Sequence, residues 1–284
     1  MQPAPDPPRT LWFVYNPGSH SVSPEVLDRV RETIARNGGT LAGETQFPDD
    51  DMPTQADLEA AGVDTLIALG GDGTITCAAT RLAEWQGRLL VLPGGTMNLI
   101  PRMLHEELEP DLVISRAFAQ PEVVALPYVA IEDHRSFARV IAGPAAAFVH
   151  LREDLRAGRL RRLWRTWRTS WKILWSRTVT IADQPGHYRA IFIRAGEDGR
   201  VHIDATPRTG RFKTLRMARS WLVDLVGDAG GNEELVLETA ELRSSRPIRM
   251  LLDGEERFFN SPAALRAETS ARQFFATRDA AGSS

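Results

Sequence analysis

Val63-Asp64-Thr65-Leu66-Ile67-Ala68-Leu69-Gly70-Gly71-Asp72-Gly73-Thr74 is the stretch on which the fold turns. Its first seven residues form a short apolar run, as expected of a buried strand. Ile75 to Ala83 follows as a helical segment, so the glycines occupy a strand-to-helix turn. Glycine there lets bare backbone N–H groups approach an anion, and a helix N-terminus adds favourable partial charge. A carboxylate inside such a phosphate cradle, here Asp72, is repelled by phosphates unless a metal ion or a proton transfer gives it a role. Gly70, Gly71, Asp72, Gly73 and Thr74 therefore point to phosphoryl transfer with magnesium rather than nucleotide storage. A tight turn with Asp72 as a helix cap is the plainer alternative.

Working outward, two more strand ends carry compatible loops. Arg88-Leu89-Leu90-Val91-Leu92 reads as a buried strand and runs into Pro93-Gly94-Gly95-Thr96-Met97-Asn98. Gly94 and Gly95 permit close approach, while Thr96 and Asn98 offer neutral hydrogen bonds. Upstream, Leu11 to Tyr15 is followed by Asn16-Pro17-Gly18-Ser19, and Ser23-Pro24-Glu25 opens a helix. That helix carries Val26, Leu27, Val30 and Ile34 on one face and ends near Gly38-Gly39. In open α/β sheets ligands sit outside the carboxyl ends of the strands, where all three loops fall.

Taken in order, Asn16-Pro17, Gly70 to Thr74, Gly95-Thr96-Met97-Asn98 with Arg102, and Asp253-Gly254-Glu255 resemble the diacylglycerol kinase catalytic family. Sphingosine kinases, ceramide kinases and small soluble bacterial lipid kinases are its relatives. The resemblance spans nearly the whole chain, and the ordered set is more specific than the double glycine, which NAD kinases and phosphofructokinases share. It implies an N-terminal three-layer α/β domain, a C-terminal β-sandwich, and an active site in the cleft between them. By carry-over, Asn16, Pro17 and the loops at Gly70–Thr74 and Gly94–Asn98 hold ATP. Asp253 is the implied general base, with Asp72 as the alternative, and Glu255 helps hold Mg²⁺ or the phosphates, Asp72 again being a second metal candidate. The implied reaction is transfer of the γ-phosphate to the primary hydroxyl of a membrane lipid, diacylglycerol first, with ceramide or a sphingoid base close behind. A lipid-binding protein that kept the fold without turnover, and an NAD kinase-like enzyme, are the alternatives.

The chain departs from the family at several points. Leu99 stands where Asp commonly follows the Asn of the second loop, and Ile100-Pro101 replaces an aromatic-small pair. No Asp-Asp-Gly segment of the kind that supports a structural metal is present; Glu197-Asp198-Gly199 reads as a hairpin turn. Gly143 to Phe148 aligns with a glycine-rich lipid-side motif but lacks its acidic residue.

The 284 residues suffice for two ordinary domains, and a net charge of -3 gives no global attraction to nucleic acid. The single cysteine, Cys77, cannot form an internal disulfide. No apolar run reaches membrane-spanning length, the first eight residues lack a signal pattern and read as a loose tail, and residues 278–284 read as another. The expected boundaries are 1–125 for the nucleotide-binding domain, completed by a returning segment 263–284, and 126–262 for the β-rich domain. Strands are expected over 137–142, 187–194, 200–205, 234–239 and 248–252.

Residues 151–177 stand apart, with nine basic residues against two acidic ones, a net of +7. Trp164, Trp167, Trp171 and Trp175 recur at helical spacing, with Arg161, Arg165 and Arg168 among them. Tryptophan and arginine on one amphipathic helix suit an anionic membrane surface, so the expected location is cytoplasmic, peripheral to the inner face of the membrane. Packing of the tryptophans on the sandwich is the alternative. No base-reading module accompanies the basic segment, and the sequence leaves room for a homodimer.

Overall fold

The computed structural model describes residues 6–143, 178–207, 233–271 and 273–278. Its first half contains β1 (Thr10–Tyr15), α1 (Pro24–Arg36), β2 (Thr40–Gln46), α2 (Gln55–Ala60), β3 (Thr65–Gly70), α3 (Asp72–Arg81), β4 (Arg88–Pro93), α4 (Leu99–Leu104), α5 (Pro110–Ala119) and β5 (Glu122–Val124). Then follow β6 (Pro127–Ile131), β7 (His134–Ser136), β8 (Val140–Ala142), β9 (Thr180–Ile181), β10 (Tyr188–Ala195), β11 (Val201–Pro207) and β12 (Glu233–Leu237). The last strands are β13 (Thr239–Arg243), β14 (Ile248–Leu252), β15 (Glu255–Phe259), β16 (Ala263–Thr269) and β17 (Phe274–Ala276). Two compact units result: residues 1–126 with 269–284, and residues 127–268.

The first unit is built on a six-stranded sheet ordered β2-β1-β3-β4-β17-β5. The first four strands pair in parallel, and β5 runs antiparallel to β17. On one face Leu11, Phe13, Ile67, Leu69, Leu90 and Leu92 pack against Val30 and Ile34 of α1 and Val113, Ile114 and Ala117 of α5. The alternate residues Leu66, Ala68, Leu89 and Val91 are buried on the other face, where right-handed crossovers put α2 and α3. Burial on both faces explains why β3 is an unbroken apolar run. Ser23 caps α1 by accepting the Val26 amide hydrogen at 3.4 Å, and Pro24 supplies the first helical φ.

The second unit is a β-sandwich. Sheets ordered β12-β11-β10-β8-β14-β15 and β7-β6-β16-β13-β9 face each other. Ile191, Ile193, Ile203 and Met250 from the first interdigitate with Val129, Ile131, Leu242 and Leu265 from the second. Glu197-Asp198-Gly199 is the turn between β10 and β11, with Gly199 at φ 72°.

Three expectations are corrected. Helix α3 starts at Asp72 rather than Ile75, because Gly71 already serves as its N-cap residue. Residues 263–268 do not return to the first unit, since β16 pairs with β13 inside the sandwich. Only the chain from Thr269 onward returns, as Phe274 inserts beside Leu89 of β4. The single strand expected over 234–239 is two, β12 and β13, which belong to different sheets. The Trp/Arg segment 151–177 and most of the Gly143–Phe148 motif lie outside the described residues.

Candidate active site

Three loops emerge from the carboxyl ends of β1, β3 and β4 and are tied to one another. Asn16 donates its main-chain N–H to the Leu69 carbonyl at 3.0 Å and its side-chain Nδ2 to Thr74 Oγ1 at 3.1 Å. Its Oδ1 accepts the Gly18 amide at 2.9 Å, so one side chain both folds its own loop and reaches α3. The Gly71 amide donates to Ser19 Oγ at 3.2 Å, and the Ser21 amide donates to the Gly94 carbonyl at 3.0 Å. Gly95 N–H donates to Asn98 Oδ1 at 2.8 Å, with Asn98 in the left-handed region at φ 49°.

The glycines divide by role. A Cβ on Gly94 would lie 2.8 Å from Gly70 N, and one on Gly95 would lie 2.7 Å from Gly71 Cα. One on Gly70 would meet Thr74 Cβ at 2.9 Å. These three glycines let loop pack on loop. Gly71 is different: the nearest atom to its added Cβ is Gly95 Cα at 3.9 Å. Open space thus adjoins the first turn of α3, whose leading amides have no acceptor within the helix. That is room for a phosphate and the donors to hold it.

Asp72 lies at the first position of α3, and its carboxylate reaches α4. Oδ2 accepts the Leu99 amide at 3.1 Å and Oδ1 accepts the Ile100 amide at 2.9 Å. The contact is to the backbone, so Leu99 at the family's usual Asp position leaves it intact. Arg102 donates Nε to the Met97 carbonyl at 3.2 Å, bracing the second loop. Thr96 and Pro17 are exposed on their loops, and Gly73 is in the first turn of α3.

Behind these loops His105 is buried between β4 and the returning chain. A carbonyl can only accept, so His105 Nε2 donates to Val91 O at 2.9 Å and Nδ1 accepts from the Thr277 hydroxyl at 3.0 Å. Burial pushes its pKa down to about 4, which keeps the ring neutral.

In the second unit Asp253 and Gly254 form the two-residue turn between β14 and β15, both at positive φ, 50° and 95°. The Asp253 carboxylate faces the strap 137–139, which joins β7 of one sheet to β8 of the other. Oδ1 accepts Ser136 Oγ–H at 2.7 Å and the amides of Ala138 at 2.9 Å and Arg139 at 2.8 Å. Oδ2 accepts the Phe137 amide at 2.8 Å, and Asp253 N–H donates to the Arg139 carbonyl at 3.1 Å. Glu255 is half exposed and accepts from Arg257 at 2.8 Å.

The structure therefore gathers Asn16, Gly70, Gly71, Asp72, Thr74, Gly94, Gly95 and Asn98 in the first unit and places Asp253 and Glu255 in the second. Ser19, Ser136 and Arg139 join them without having been singled out from the sequence. No group of three or more His, Cys, Asp or Glu with metal-binding geometry occurs among the described residues.

This arrangement of three tied loops coincides with a known domain. The matching family model is that of the diacylglycerol kinase catalytic domain, over residues 10–125. The match contains all three glycine-bearing loops and ends before Asp253. The fold extends the likeness to the second unit. A diacylglycerol kinase structure from Bacillus anthracis str. Sterne superposes with a TM-score of 0.62 at 16% identity, covering 91% of this chain and 94% of its own. Two more structures from that organism, provisionally assigned as diacylglycerol kinases, give TM-scores of 0.63 at 14% and 16% identity, each covering 92% of this chain and 94% of its own. At such identities the likeness establishes the fold. No curated protein sequence matches the chain significantly. No helix among the described residues is long and apolar enough to cross a membrane.

Proposed function

We propose that the protein is an ATP-dependent lipid kinase that phosphorylates the primary hydroxyl of a membrane lipid, with diacylglycerol as first candidate and ceramide or a sphingoid base next. The observation that carries this reading is the open face of Gly71 beside the first turn of α3, inside a diacylglycerol kinase catalytic domain. Phosphoryl transfer asks a protein mainly for positioning and for stabilisation of charge on the equatorial oxygens. Amides of α3 and the tied loops supply both. The lipid hydroxyl oxygen bonds to the γ-phosphorus, the bond from that phosphorus to the β,γ-bridging oxygen breaks, and ADP leaves with the electron pair. The hydroxyl proton departs late in so loose a transition state, and Asp72 is the carboxylate that the nucleotide loops offer toward it.

Magnesium would arrive with the nucleotide, hold phosphate oxygens and keep several waters. The donor set fits this modest demand. Asp72 is the carboxylate beside the cradle, and Glu255, the other residue the family resemblance implies, is exposed in an ion pair worth under about 1 kcal/mol. Access to an embedded acceptor falls to the Trp/Arg segment 151–177, which we assign to peripheral contact with anionic membrane.

The reading is tested by ATP turnover with and without diacylglycerol in mixed micelles. Lipid-stimulated turnover that Gly71→Ala abolishes supports it. ATP binding with no lipid-stimulated turnover would instead mean a lipid-binding protein on a kinase fold.

A further inference from the structure

Resting on the lipid-kinase reading, we propose that Asp253 serves as a positioning residue rather than the general base, and that the group it positions is Arg139, a contact for a phosphate group. Three successive amides, those of Phe137, Ala138 and Arg139, converge on the Asp253 carboxylate, and the Ser136 hydroxyl adds a fourth donor. Successive N–H groups arranged this way make an anion-binding nest, and here the anion is supplied by the chain itself. Oδ1 takes three of the four bonds, more than its two lone pairs accommodate in ideal geometry. A carboxylate so engaged is fixed in orientation and poorly placed to collect a proton from a reactant.

What the nest fixes is the strap between the two sheets. Of its side chains, Ser136 is buried with its hydroxyl on Asp253, Phe137 is buried and packs on Tyr128 with ring centroids 5.3 Å apart, and Ala138 carries no polar group. Arg139 is the strap's only charged residue. Its amide and carbonyl are both bonded to Asp253, at 2.8 and 3.1 Å, so the turn at 253–254 sets where its side chain leaves the backbone. The guanidinium lies over Phe192 at 5.7 Å, in a half-desolvated setting with Arg194 as a second cation and Asp204 as the nearby anion. An aromatic shelf and partial desolvation favour a phosphate over water at the guanidinium, in competition with the Asp204 carboxylate.

The test is a double-mutant cycle on lipid phosphorylation with Asp253→Asn, Arg139→Ala and the pair, with Arg139→Lys and Ser136→Ala as milder variants. Asparagine keeps an acceptor for the Oδ1 donors and turns an NH₂ toward the Phe137 amide. The expected loss in kcat/KM is roughly tenfold, equivalent to one hydrogen bond. The acid limb of the pH profile persists, Arg139→Lys recovers part of the Arg139→Ala loss, and the pair is no worse than Arg139→Ala alone. A loss of about 10²–10⁴ in Asp253→Asn, together with disappearance of the acid limb, is what a general base gives, and it overturns the proposal. Additive losses in the pair overturn the link to Arg139. If the wild type phosphorylates no lipid, the kinase reading fails, and pyrophosphate titration then decides the inference. Binding weakened by Arg139→Ala and by Asp253→Asn upholds it, and unchanged binding in both defeats it.

Discussion

Asn16 and Thr74 stand 58 residues apart in sequence and meet through a 3.1 Å hydrogen bond from Nδ2 to Oγ1. That bond joins the loop after β1 to the first turn of α3, and Thr74 is itself buried over Gly70. The asparagine uses both ends of its amide: Nδ2 donates to Thr74 while Oδ1 accepts from Gly18. Asn16→Ala removes both bonds and is expected to cost about 1–3 kcal/mol in urea unfolding. Asn16→Asp keeps an acceptor for Gly18, and the Thr74 hydroxyl can rotate to donate to it. Its stability loss is therefore smaller, but the added negative charge beside the cradle weakens ATP binding at least as much as Asn16→Ala does, measured by calorimetry.

The glycines of the two main loops separate folding from binding. Gly95→Ala drives a methyl to 2.7 Å from Gly71 Cα, so a loss of about 1–3 kcal/mol in stability is expected from overpacking. Gly71→Ala places its methyl in open space and leaves stability within about 0.5 kcal/mol of wild type, while nucleotide binding falls by more than tenfold. Equal stability losses in the two variants would remove the basis for placing a phosphate at Gly71.

Asp72 carries a structural duty alongside any chemical one. Asp72→Ala strips the Leu99 and Ile100 amides of their acceptor and is expected to lower stability by about 1–3 kcal/mol. Asp72→Asn retains one carbonyl oxygen for those amides and recovers part of that loss. Thermal melts of the three proteins at one pH provide the comparison.

His105 gives the first unit a pH dependence whose sign is fixed by its burial. The folded-state pKa of about 4 lies below the 6.5 of an unperturbed histidine, so the unfolded chain binds the proton more readily. Its contribution is fully present above pH 6.5 and is lost as pH falls toward 4. The full span is on the order of 3 kcal/mol. Urea midpoints at pH 7 and pH 5 should differ more for wild type than for His105→Gln, which cannot take up the proton.

Much of the first unit is legible in the sequence because its central strands are buried on both faces. β1, β3 and β4 are apolar runs that end on glycine or Asn-Pro loops, and α1 shows both its apolar face and its Ser-Pro-Glu start. β2 is hidden by being an edge strand: Thr40 to Gln46 buries only Thr45 and carries no apolar run. Near the C-terminus, β16 and β17 are both short apolar segments, and only strand pairing sends Ala263–Thr269 to the sandwich and Phe274–Ala276 to the α/β sheet. At the site, loop residues within a motif are readable, since glycine and amide side chains mark themselves. Partners supplied by backbone are not. The donors to Asp253 come from Ser136 to Arg139, more than a hundred residues away, and three of the four are main-chain amides that any residue provides. His105 likewise gives no local sign that Val91 O and Thr277 Oγ1 await it.

The central claim is tested most directly by following labelled γ-phosphate from ATP into diacylglycerol, monoacylglycerol, ceramide and sphingosine in mixed micelles, with NAD as a soluble control. The expected result is label in a lipid product, diacylglycerol foremost, that disappears in Gly71→Ala. Label in NAD, or ATP bound without label in any lipid, would contradict it.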